Sequence, residues 1–119
     1  MINKEEIEQY LNEFVVKLGI WGVFFRDDRG KNSQFLLDME LKPVEREKVL
    51  KSLKPEDYSE GPISEKLYGG ADMWVFGKEI KGEEIYIKIS MGYQGVQVIC
   101  ISFHLAEYPM NYPYKTKKL

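Results

Sequence analysis

Between Met73 and His104 three short segments rich in Val, Ile, Tyr, Phe and Trp are separated by glycine-containing turns. Met73 to Ile80 ends at Lys81-Gly82, where glycine supplies the positive φ of a tight hairpin. In Glu83 to Ser90, Ile85, Ile87 and Ile89 alternate with Glu84, Tyr86, Lys88 and Ser90, so Tyr86 and Lys88 point the same way. A second turn, Gly92 to Gly95, leads into Val96 to His104. Strict alternation there groups Val96, Val98, Cys100, Ser102 and His104 on one face and Gln97, Ile99, Ile101 and Phe103 on the other. This last segment is oily on both faces, which predicts a central strand covered on both sides. The three segments together predict a β-meander.

The N-terminal part follows a different period. Ile7, Tyr10, Leu11, Phe14, Val15 and Leu18 recur at spacings of three and four, predicting an amphipathic helix over residues 2–18. Asn3 is its expected N-cap, Glu5 and Glu6 suit its first turn, and Gly19 is its expected stop. Ile20 to Arg26 reads as a short strand, ended by the turn-forming loop Asp27 to Asn32. Residues 32–41 fit a helix or a strand, with a helix capped by Asn32 or Ser33 the preferred reading. Pro43 to Leu53 predicts a further helix, with Pro at its first position and Val44, Val49, Leu50 and Leu53 on its apolar face. Lys54 to Gly70 reads as a long polar connection broken by Pro55, Gly61, Pro62 and Gly69-Gly70. After His104, two Tyr-Pro pairs and Tyr114 predict an extended segment that lies back across the domain, or else an arm for a partner.

Composition narrows the picture. The 119 residues are 44% hydrophobic and 30% charged, which fits one globular α+β domain: a small antiparallel sheet, joined by an N-terminal strand if Ile20 to Arg26 pairs, packed with two or three helices. No apolar run approaches the ~20 residues of a bilayer span, and the charged N-terminus lacks the apolar core of a signal peptide, so the expected compartment is the cytoplasm, with no membrane partner. The net charge is −2, against the basic footprint usual for proteins that hold nucleic acid, although Arg26, Arg29 and Lys31 form a local basic cluster and 115–119 a basic tail. Cys100, the single cysteine, reads as a buried small hydrophobe. One Cys and one His give no zinc-ligand spacing, and no phosphate loop is present, so no metal or cofactor is expected.

A helix ending in VLKSL, then PEDY, a tryptophan strand DMWVFGKEI, a strand EEIYIKI and a final strand VICISFH occur in that order. This ordered set resembles the motility quorum-sensing regulator (MqsR) family of bacterial toxin–antitoxin toxins over about Val49 to His104. The resemblance implies a RelE-like α+β fold, metal-independent mRNA endoribonuclease activity, and neutralisation by an antitoxin protein. It places the family's strand tyrosine on Tyr86, the neighbouring lysine on Lys88, and the lysine that ends the last strand on His104. The chain departs from the family where Val75 stands for a glutamine after the tryptophan and where the loop after Asp57-Tyr58 carries no lysine.

The chemistry of those residues agrees with that implication. Metal-free RNA cleavage needs a base for the 2′-hydroxyl, an acid for the leaving 5′-oxygen and a cation for the charged phosphorane. Histidine, with an ordinary pKa of about 6.5, suits either proton role. The catalytic candidates are therefore His104, Tyr86 and Lys88, with Lys78, Trp74 and Arg26 as candidate substrate-binding residues. The competing reading is a non-catalytic interaction module that keeps the toxin fold, which the acid balance and the missing loop lysine favour.

Overall fold

The computed structural model describes residues 2–26, 30–64 and 70–115. The described residues fold as an α+β unit of three helices on a five-stranded mixed sheet. Helix α1 spans Lys4–Trp21. Strand β1 (Val23–Phe25), helix α2 (Gly30–Met39) and helix α3 (Pro43–Lys51) follow. A 3-10 turn, Pro55–Asp57, opens into β2 (Tyr58–Ile63), and β3 (Met73–Ile80), β4 (Glu83–Ser90) and β5 (Val98–Leu105) complete the sheet. The order is β1-β5-β4-β3-β2, with β1 parallel to β5 and every other pair antiparallel.

Most elements form where their periodicity puts them. Asn3 caps α1, its side-chain oxygen accepting a 2.8 Å bond from the Glu6 N–H. Ile7, Leu11, Phe14 and Leu18 are the buried face of that helix. It runs past Gly19 and ends at Gly22, whose N–H donates to Leu18 O and whose φ of 82° suits a residue without a Cβ. Pro43 starts α3 as expected, but the helix buries Arg46 and Leu50 and leaves Val44 exposed. The Arg46 guanidinium lies 3.8 Å above the Phe25 ring, a cation–π contact that substitutes for an apolar residue there.

Two expectations are corrected. The polar connection Lys54 to Gly70 contains strand β2, which pairs with β3 through Tyr58↔Phe76, Glu60↔Val75 and Ile63↔Met73, with register shifts between these pairs. Its irregular pairing and single buried residue, Tyr58, explain why no period marks it. The second correction lies in β5. Lys88 pairs with Ser102 but the next residue, Ile89, pairs with Cys100, so Ile101 is an extra residue, a β-bulge. The bulge reverses the alternation. Val98, Cys100 and Phe103 join the core, while Ser102 and His104 turn to the opposite side.

The core sits on one face of the sheet, here the core face. There Phe76, Ile87 and Phe103 line up across β3, β4 and β5, and the buried residues of α1 join them with Leu36 and Met39 of α2 and Leu50 of α3. Strand β5 lies inside the sheet between β1 and β4, as an all-apolar strand should. Asp27, Asp28, Arg29 and the end of the basic tail, 116–119, lie outside the described residues.

Candidate functional site

The opposite, far face carries the chemistry. Its β3 positions are Met73, Val75, Gly77 and Glu79; on β4 they are Glu84, Tyr86, Lys88 and Ser90; on β5, beyond the bulge, Ser102 and His104. Tyr86 is the direct cross-strand partner of His104, and Lys88 that of Ser102. The Tyr86 and His104 rings stack with centroids 5.3 Å apart and planes 11° from parallel, and the Lys88 ammonium is 5.8 Å from the Tyr86 ring centroid. The sheet thus brings together the three residues expected to act together, and the β5 bulge places His104 among them.

The protonation states are partly fixed by the surroundings. His104 Nδ1 lies 2.9 Å from the Leu105 carbonyl oxygen, which can only accept, so a neutral ring keeps its proton on Nδ1 and leaves Nε2 as the basic atom. Burial, and then the Glu60 carboxylate across the sheet, push the Tyr86 phenol above its ordinary value, so it stays a proton donor at neutral pH. Ser102 lies beneath Lys88 and is almost fully buried.

The C-terminal segment borders this face, as its aromatic content predicted. Tyr112 lies against Gly77, the cross-strand partner of Tyr86; a Cβ at Gly77 would sit 2.7 Å from two atoms of the Tyr112 ring. The close approach therefore requires glycine there. Tyr112 donates a 2.7 Å bond to one Glu84 oxygen and the Met110 N–H a 3.2 Å bond to the other. Tyr114 donates to the Ile2 carbonyl and packs near Tyr58, closing the tail against the start of α1. Tyr112, Glu84 and Glu60 had no place in the site as read from the sequence. A glycine inside a strand, as at Gly77, is the sequence signal that could have pointed to a close neighbour.

Two of the candidate substrate-binding residues lie elsewhere. Trp74 is on the core face, 7% exposed, stacked on Tyr10 with centroids 4.1 Å apart and edge-on to Tyr58. Lys78 shares that face of β3 and makes a 3.0 Å ion pair with Asp57 at the rim of a cavity of about 310 Å³ that Glu79, Glu84 and Tyr112 also line. Arg26 lies just beyond β1, its N–H continuing the parallel ladder to Cys100 O at 3.0 Å. Among the described residues, no three His, Cys, Asp or Glu side chains are grouped to hold a metal ion. None of the helices described is long and apolar enough to cross a membrane.

Tyrosine ionisation gives a prediction for alkaline pH. Burial raises Tyr10, Tyr58, Tyr86 and Tyr112 above their ordinary values, with Asp72 adding at Tyr10, Tyr114 and Glu60 at Tyr58, Glu60 at Tyr86, and the Glu84 bond and charge and Asp57 at Tyr112. The unfolded chain therefore loses these protons first, at about pH 10. Stability is whole below that value and falls as pH climbs from about 10 toward the raised folded-state values. Lys17, lowered by burial, acts in the opposite direction, one group against four. The urea midpoint should be level up to about pH 9 and decline above about pH 10, with tyrosinate absorbance rising along with unfolding. A midpoint unchanged at pH 11 would contradict this account.

Neither a family model, nor a curated protein, nor a solved structure matches this chain.

Proposed function

We propose that this chain is a metal-independent endoribonuclease of the MqsR-like toxin type, acting from the far face of its sheet and held in check by an antitoxin protein. What supports the reading is the pairing of Tyr86 with His104 on adjacent strands, with Lys88 beside them on the same face. In the reaction, His104 Nε2 takes the 2′-hydroxyl proton and the 2′-oxygen attacks the adjacent phosphorus. The Lys88 ammonium stabilises the charged phosphorane. The bond to the 5′-oxygen breaks, and the phenol of Tyr86 is the donor that protonates it. The products are a 2′,3′-cyclic phosphate and a 5′-hydroxyl. The His104 imidazolium then gives its proton to solvent and the Tyr86 phenolate takes one from solvent, which restores both groups.

The test is incubation of purified protein with a labelled structured RNA in EDTA, with and without translating ribosomes. Wild type should give discrete cuts ending in cyclic phosphate. Loss of the general base should slow them by about 10²- to 10⁴-fold in His104→Ala. Cleavage equal in the two proteins would remove His104 from the mechanism.

A second reading has one observation in its favour. Glu79 and Glu84 face each other across β3 and β4 on the same far face, and Glu60, in register with Val75 and through it with Lys88, acts by its charge on the Tyr86 phenol, so carboxylates border the place a phosphate would take. A non-catalytic interaction module built on the toxin fold accommodates that arrangement. It predicts no cutting under any condition and a tight protein partner instead.

A further inference from the structure

Six of the exposed large apolar side chains gather at one corner of the fold, away from the Tyr86 and His104 pair. Val16, Ile20 and Trp21 come from the last turns of α1, Phe24 from β1, and Tyr93 and Val96 from the loop before β5. The corner is held together by Lys17, whose ammonium donates to the carbonyls of Met91 and Tyr93, and by the Val98 N–H, which donates to Gly22 O at 3.2 Å. Trp21 and Phe24 are half exposed and Ile20 is 67% exposed. Apolar side chains clustered in this way on a surface mark an interaction site.

The backbone at that corner is open as well. Strand β1 is an edge, with no strand beyond it among the described residues. Its ladder to β5 runs through Gly22 O and Arg26 N, so by alternation the N–H and C=O groups of Val23 and Phe25 point away from the sheet. The opposite edge is guarded: β2 carries register shifts, Pro62 and the charged Glu60. Strand β1 has no proline, charge or bulge of its own.

Charge decides the occupant. No residue from Leu18 to Phe25, and none from Met91 to Phe103, carries a charge. A different protein is ordinarily selected through complementary charges, and the one charge inside this corner, Lys17, is already turned onto the Met91 and Tyr93 carbonyls. A copy of the same surface meets no like-charge repulsion here. We propose that this corner is the interface of a symmetric homodimer, in which the β1 strands of two copies pair antiparallel about Phe24. In that register each Val23 exchanges both backbone bonds with Phe25 of the other copy, the two Phe24 rings lie side by side as the non-hydrogen-bonded pair, and a continuous ten-stranded sheet closes both open edges. The inference is independent of the nuclease reading and stands or falls on association alone.

Sedimentation of the full-length chain across a range of micromolar concentrations is the direct test. The expected result is a species of twice the 14.0 kDa chain mass. Phe24→Lys should abolish it while leaving the circular dichroism of the monomer unchanged. Should Phe24→Lys fail to fold, Trp21→Glu, at the exposed end of α1, is the second variant and should also give monomer. Phe24→Cys should in addition form a disulfide-linked dimer on mild oxidation, because opposed side chains of a non-hydrogen-bonded pair lie within bridging range, whereas Leu37→Cys on α2, although more exposed, should not. A wild-type chain that stays monomeric throughout, a dimer that survives both Phe24→Lys and Trp21→Glu, or equal cross-linking at positions 24 and 37 would overturn the proposal.

Discussion

Phe103→Ala is expected to lower stability by about 3–5 kcal/mol, while His104→Ala, one residue along the same strand, is expected to change it by under about 1 kcal/mol. Phe103 is fully buried opposite Ile87 on the core face, so truncation removes its burial and leaves a cavity in a packed interior. That loss is a large part of the ~5–15 kcal/mol by which a domain is stable. His104 is half exposed on the far face and gives up only its stack on Tyr86 and its bond to Leu105 O. Urea unfolding of both variants, followed by far-UV circular dichroism, is the measurement. The contrast is diagnostic because unbroken alternation from Val98 predicts the reverse, with position 104 inside and 103 outside. Equal or inverted effects would mean that β5 runs without its bulge.

Trp74→Ala should be comparably damaging, again about 3–5 kcal/mol, and for a structural reason alone. The indole stacks on Tyr10 of α1 and meets Tyr58 at the start of β2 edge-on, so it ties the first helix to the edge strand β2. No face of the ring remains for a nucleobase to stack on. A Trp74→Phe protein, which keeps an aromatic in the gap, should recover most of the stability, and on the nuclease reading proposed above its RNA cleavage per folded molecule should match wild type. Selective loss of cleavage in stably folded Trp74→Phe would return the residue to the list of substrate contacts.

The sequence made α1 and β4 legible because each of those segments has one wet and one dry side. Spacings of three and four in α1, with Asn3 ahead of them, and the Ile85, Ile87, Ile89 alternation of β4 are polarity signals that burial itself creates. Where burial is even, the signal vanishes. Val98 to Phe103 is dry on both sides, so nothing in its composition marks the extra residue, and the grouping of His104 with Val98 and Cys100 followed from that silence. Strand β2 was hidden for the opposite reason: it is an irregular edge with almost nothing buried. The pairing of Tyr86 with Lys88 on one face was readable within a single strand. The placement of Trp74 and Lys78 on the other face was not, because it depends on register between strands.

The extra residue in β5 also bears on how relatives of this chain are to be matched to it. An aligned column counts residues along the chain, whereas equivalence in a sheet is set by which side a residue faces. A homologue with a regular final strand comes into correct correspondence with this one only if a single-position gap is opened opposite Ile101. Without that gap, its core residue would be set against His104 and its surface residue against Phe103. Any search built on this sequence gains discrimination by letting the strand slip one place there.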